Sequence, residues 1–167
     1  MPVYFFTFHA YRSWMPDHPR GYVKRKEEVL PPDPEMAKRY EARANHEPAV
    51  FTAEIEKELI DEVLIWSRAT GIHVYAIGTE PSHIHSLTSW SSDRTAISVR
   101  TSLKTSLSRR LSDMSKHIGF RVALSRGGDS THVKDRSHFD HIMTEYVPKH
   151  RGLRWIEGRR FLPWVES

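Results

Sequence analysis

The chain has no cysteine among its 167 residues. That excludes disulfides, cysteine-ligated zinc sites and thiol nucleophiles, so any catalytic or metal-binding function must use other side chains. Nor does any apolar run approach the roughly 18 residues that a membrane-spanning helix needs, which sets the expectation of no membrane contact. The opening MPVYFFTFHAYRSW is apolar but short, without a basic leader or a small-residue cleavage site, so a cytoplasmic protein is expected. Acidic charge is also scarce: 21 Asp and Glu stand against 25 Lys and Arg, for a net charge of +4 and a pI near 9.4. The imbalance is local. Between positions 94 and 136 ten basic residues face three acidic ones, while acids gather between 54 and 62. Such a stretch is either a solubilising face or a nucleic-acid surface, and both readings stand at this point.

What is present reads as one α+β domain over 1–167. Val3–His9 is a run of strand formers, too apolar on both faces for a free edge. Residues 15–50 form a proline-rich insertion, with a short helix near 35–44 and otherwise the character of a surface loop without a direct role. The clearest helix spans 52–70, where Ile55, Leu59, Val63 and Trp66 recur at helical spacing, widened by Ile60 and Leu64; Thr52 caps it and Gly71 stops it. Strands follow at 72–79 and 83–90, then a helix at 93–116 with Leu103, Leu107, Leu111 and Met114 on its buried stripe. A fourth strand is expected at 121–124, a short strand at 131–134 and a helix at 137–146. The first six of the major elements run strand, helix, strand, strand, helix, strand. That order predicts a ferredoxin-like (RRM-like) antiparallel sheet with helices on one face, plus a C-terminal helix.

The chemistry-bearing motif is His83-Ile84-His85. Two histidines at i and i+2 on a strand project to the same face, and imidazole is the commonest metal ligand near neutral pH. The pair alone reads more readily as two polar positions on a solvated strand, since the chain has 11 histidines.

Taken together, TFHAYRSWMPDHPRGYV, EPSHIHSL, LSRGG and HFDHIMTEYVPKH followed by RGLRW resemble the single-tyrosine HUH transposases, in particular their REP-associated tyrosine transposase-like branch. The resemblance touches most of the chain outside the insertion. It implies a transposase that is a metal-dependent endonuclease and strand transferase on single-stranded hairpin DNA, associated with the nucleoid and open to acting as a homodimer. A helix-borne tyrosine attacks a phosphodiester to leave a 5′-phosphotyrosine and a free 3′-hydroxyl. On this chain the tyrosine is Tyr146, on the helix after the basic stretch. Tyr4, Tyr11 and Tyr75 lie in or beside strands, and Tyr22 and Tyr40 lie in the insertion. The metal, Mg²⁺ or Mn²⁺, falls to His83, His85 and a third ligand one turn beyond the tyrosine. Family members usually carry an amide there; this chain has His150, with Pro148 between. If the helix stops at Tyr146, His141 and Glu145 are the fallback ligands.

DNA contacts are expected from Arg100, Lys104, Arg109, Arg110 and Arg126, with Ser106 beside them. Trp90 and Trp155 have two open fates, base stacking or core packing. Arg154, Arg159 and Arg160 belong to a tail that either adds DNA contacts or covers a sheet edge. The rival function is a non-catalytic binding module for single-stranded DNA or RNA hairpins.

Overall fold

β-Branched and aromatic residues make Val3–His9 (β1) a central strand. The computed structural model describes residues 1–23 and 29–159. After β1 come a small hairpin of Tyr22–Val23 (β2) and Val29–Leu30 (β3) and the helix Pro34–Arg43 (α1). Then follow the helix Ala53–Thr70 (α2), the strands His73–Glu80 (β4) and His83–Ser89 (β5), the helix Ala96–Ile118 (α3) and the strand Asp129–His132 (β6). The described chain closes with the helix Arg136–His141 (α4), a π turn at Ile142–Tyr146, a 3-10 turn at Val147–Lys149 and the strand Arg154–Ile156 (β7).

The sheet order is β6-β1-β5-β4-β7, and every pairing is antiparallel. Its first four strands reproduce the ferredoxin-like order, so the fold is α+β of that type. The helix α2 starts where the Thr52 hydroxyl accepts from the Ile55 N–H and ends at Gly71, whose φ of 70° is open to glycine at little cost. It packs with α3 on one sheet face over Phe6, Phe8, Ile77 and Ile84. Leu59, Leu103, Leu107 and Leu111 are fully enclosed there. On the opposite face a smaller cluster of Phe5, Ala76, Leu87, Val133, Ile142, Val147 and Ile156 seats the C-terminal helical segment. Among the described residues, no helix is long and apolar enough to cross a membrane.

Two expectations about the edges change. Residues 121–124 are not the fourth strand; Leu124 makes a single bridge to Ala10, and β6 pairs with Tyr4–Thr7 further along. Both segments track the same edge of β1. The turn at Gly127 and Gly128, with φ of 82° and 129°, interrupts them. A Cβ at Gly128 would strike the Phe8 ring at 2.8 Å, so the chain can double back there only on glycine. The other edge gains β7, which spacing did not reveal; it pairs Arg154–Ile156 with Ala76–Gly78 and so covers the β4 edge.

Candidate functional site

Period-two alternation sends Ile84, Ser86 and Thr88 toward α2 and α3, and His83 and His85 to the other face. Thr7 and His9 on β1 are the cross-strand partners of His85 and His83. The third imidazole comes from beyond Pro148. Proline lacks the N–H that a regular helix needs at that point, so the turn widens first: the Val147 N–H reaches back to the Ile142 carbonyl, an i to i−5 bond. A 3-10 turn follows, and His150 leaves it in extended geometry with its N–H on the Val147 carbonyl. The helical register is broken, yet His150 reaches the pair. Ligand atoms of His83, His85 and His150 all lie within 4.8 Å of one another.

The donor set suits a metal ion. In each ring Nδ1 is already engaged. His150 Nδ1–H donates to the Tyr146 carbonyl at 3.0 Å, which fixes its tautomer. His85 Nδ1 and the Thr7 hydroxyl share a bond of 2.7 Å, and His83 Nδ1 and the Ser82 hydroxyl another of 2.7 Å. That leaves Nε2 of each ring to ligate, with outer partners that orient it. Burial, reinforced by neighbouring histidines and Arg20, pushes the His83 imidazole down to about 4. Burial also holds His85 well below the usual imidazole range and lowers His150 and His9. The rings are therefore neutral at pH 7, and no proton competes for the lone pairs. Two fallback ligands recede. Glu145 is paired with Lys149 at 2.7 Å, and His141 lines the cavity wall outside the convergent set.

Tyr146 stands beside the imidazoles on the same cavity, which measures about 530 Å³. The residue is 43% exposed, and its hydroxyl lies 3.4 Å from His85 Nε2. Phe5 presses edge-on against it at 5.5 Å and stacks on His85 at 4.8 Å, fixing both rings. Burial and then Glu80 raise the phenol above its ordinary value, while Arg20 opposes them. The hydroxyl is thus neutral before any cation or substrate arrives.

His150 is located by a buried lock. Glu56, 0% exposed on the apolar stripe of α2, accepts from the Leu153 N–H at 2.8 Å and from the Thr79 hydroxyl at 2.7 Å. Gly152 is squeezed between them; a Cβ there would meet the Thr79 carbonyl at 2.2 Å. Arg154, expected in a tail that either adds DNA contacts or covers a sheet edge, lies on the edge-covering strand β7; it is buried and donates to the Pro148 and His150 carbonyls at 2.9 Å each. A carboxylate at position 56, three residues before Leu59 and four before Ile60, was the available sign of this lock.

The basic residues divide. Arg100, Lys104 and Arg109 line a groove along α3, on the opposite side of the sheet from the histidines. Arg100 donates to the Gly128 carbonyl and Lys104 to those of Ser125 and Gly127, so both hold the glycine turn. Arg110 is drawn away into an ion pair with Glu58, and Ser106 bonds Glu62, so these two face α2 rather than the groove. Arg126 joins a second cavity with His9, Trp14 and Arg20. Trp90 is a core residue, 3% exposed, with its indole N–H on the Arg94 carbonyl; Trp155 packs against the core. Arg160 lies outside the described residues. Spacing missed Trp14, just before the insertion, and Arg20, inside it, which line the histidine cavity although the insertion reads as a passive loop.

The placement of His150 can be probed from β4. A Cβ at Gly78 would sit 3.1 Å from the His150 ring, tight enough to displace it by a few tenths of an ångström. Gly78→Ala should therefore weaken Mn²⁺ binding about tenfold while thermal stability changes little; unchanged affinity by calorimetry would contradict the placement of His150. Acid should act on the same cluster. The folded-state values of His9, His83, His85 and His150 lie below the unfolded value near 6.5, so the unfolded chain binds more protons once the pH drops under it. Stability is fully present above pH 6.5 and falls toward pH 4, with a limiting slope of about 1.4 kcal/mol per pH unit per histidine. Urea midpoints of the metal-free protein should drop across that window, and less steeply in His83→Gln. A flat profile, or equal slopes, would refute it.

No protein-family model and no curated protein matches the sequence. Among solved structures, a REP-associated tyrosine transposase bound to a REP hairpin is similar, at 12% identity and a TM-score of 0.43. The match covers 84% of this chain and 61% of that one, so the chain spans less than two thirds of its length. The similarity is a distant one.

Proposed function

We propose that the protein is a metal-dependent endonuclease and strand transferase of the HUH type, acting on single-stranded DNA beside a hairpin. The carrying observation is the convergence of three neutral imidazoles with one exposed tyrosine hydroxyl in a single cavity. A divalent cation held by His83, His85 and His150 would supply positive charge at the scissile phosphate, polarising phosphorus and offsetting developing charge. The nitrogen-rich set favours Mn²⁺ over Mg²⁺.

Tyr146 has the role of nucleophile. Its oxygen bonds to phosphorus, the bond from phosphorus to the 3′ oxygen breaks, the phenol proton departs to solvent and the leaving oxygen gains one. The product is a 5′-phosphotyrosine and a free 3′-hydroxyl, and attack by a 3′-hydroxyl on that linkage rejoins the strand. Phe5 holds the phenol ring against the imidazoles, which limits the geometries it samples before attack. Within one chain Tyr146 lies beside the histidines. The α3 groove, with Arg109 beside the turn-holding Arg100 and Lys104, is a basic surface on the other side of the sheet from Tyr146, where phosphate contacts would carry affinity without sequence information.

Cleavage of an end-labelled DNA hairpin with a single-stranded flank tests the reading. With Mn²⁺ the 3′ fragment should migrate with the protein on a denaturing gel, and the 5′ fragment should run free. Tight hairpin binding with no cleavage in either Mn²⁺ or Mg²⁺ would instead identify the non-catalytic hairpin-binding module.

A further inference from the structure

Beyond Thr7 and His9, the opening motif TFHAYRSWMPDHPRGYV is left without a role by the metal centre and the tyrosine. Residues 11–22 within it are tightly built. Arg12 holds φ of 60°, a left-handed geometry uncommon outside glycine, and its guanidinium donates to the His46 carbonyl. The Ser13 hydroxyl donates to the Ser82 carbonyl at 2.9 Å, tying the segment to the residue before His83. At Gly21 φ is 77° and a Cβ would overlap the Leu30 carbonyl at 2.1 Å, so only glycine closes this turn.

These constraints position two side chains. The Trp14 indole N–H donates to the Gly21 carbonyl at 3.0 Å, and His18 stacks on the ring at 3.7 Å and 15°. Trp14 is nevertheless 39% exposed as a residue, and it lines both the histidine cavity and an adjoining one of about 440 Å³. Arg20 lines the same two cavities, and Arg126 faces the second from the glycine turn. Asp129 is the single carboxylate in that second wall, so two guanidiniums outweigh it. An oriented, partly exposed indole with adjacent cations is the equipment by which single strands are gripped: bases stack on aromatic rings and phosphates meet positive charge.

We infer that residues 11–22 form a nucleotide subsite contiguous with the metal centre, where Trp14 stacks on an unpaired base next to the scissile phosphate and Arg20 meets a neighbouring phosphate. The subsite rests on the nuclease reading for its position relative to cleavage, but its binding chemistry is independent of it. It would hold the strand extended across the site, so that the phosphodiester, and not a folded-back base, confronts Tyr146.

The test is binding, read without metal, so that a failure to cleave leaves it intact. Fluorescence anisotropy is recorded with a short labelled oligothymidine and with copies carrying one abasic position moved along the strand. Trp14→Ala should weaken binding about tenfold, with Trp14→Phe keeping most of the affinity because it keeps a stacking face. One abasic position should cost the wild type a similar factor and cost Trp14→Ala nothing further. Arg20→Ala should lower the slope of log affinity against log salt by about 0.7, one phosphate contact on a single strand. The Mn²⁺ affinity of the folded variants should match the wild type. Equal abasic losses in wild type and Trp14→Ala, or an unchanged salt slope in Arg20→Ala, would overturn the subsite. Absence of cleavage by a wild type that passes these binding tests would overturn only the nuclease reading.

Discussion

Tyr146→Phe should reduce cleavage of a hairpin substrate by about a thousandfold or more, while metal and DNA affinities stay within about twofold of the wild type. The substitution removes one oxygen from a residue that is 43% exposed, and that oxygen's contact with His85 Nε2 is long, at 3.4 Å. Little stability rides on it, and a surface change of this size is usually worth under about 0.5 kcal/mol. The substituted ring would keep the edge contact with Phe5, so the cavity keeps its shape. What disappears is the atom that bonds phosphorus. A variant that still cleaves at more than a tenth of the wild-type rate would remove Tyr146 from the role of nucleophile and redirect attention to water.

His85→Ala should lower Mn²⁺ affinity by about a hundredfold or more and abolish cleavage with it. His85 is the centre of the cluster: its ring stands 4.6 Å from His83, 4.9 Å from His150 and 5.5 Å from Tyr146. Removing it takes one of three ligands and leaves Thr7 facing a void. The stacked contact with Phe5 also goes, so a stability loss of about 1–3 kcal/mol should accompany the change. Thr7→Val separates these effects. It keeps the ligand and most of the packing but deletes the hydroxyl that orients Nδ1, and should cost about 10-fold in metal affinity. Calorimetric titration with Mn²⁺ measures both. His85→Ala binding Mn²⁺ as tightly as the wild type would place the metal elsewhere or nowhere.

Local pattern carried much of this structure. Periodicity located α2 and α3 to within a few residues, and strand alternation alone put His83 and His85 on one face. The ferredoxin-like strand order followed from element order. What pattern could not carry was anything settled by distant partners. The β7 pairing depends on a lock between Glu56, Thr79 and Leu153, residues far apart in sequence. Trp14 and Arg20 looked like loop residues because their placement is decided by Ser82, Gly21 and Leu30 rather than by neighbours at fixed spacing. Pro148 pointed to an end of the helix before His150, and the helix does end there: a π turn and a 3-10 turn carry the chain to His150, which is extended. Arg110 counted as a DNA contact by charge alone, and its capture by Glu58 shows how a basic helix face is partly spent on its own neighbours.

The most direct measurement is mass spectrometry of the protein after incubation with Mn²⁺ and hairpin DNA, followed by nuclease and trypsin digestion. The account predicts a nucleotide phosphate on the peptide of residues 137–149, localised by fragmentation to Tyr146 and absent when metal is withheld. A phosphate on another residue, or cleaved DNA with no protein-linked nucleotide at all, would contradict it.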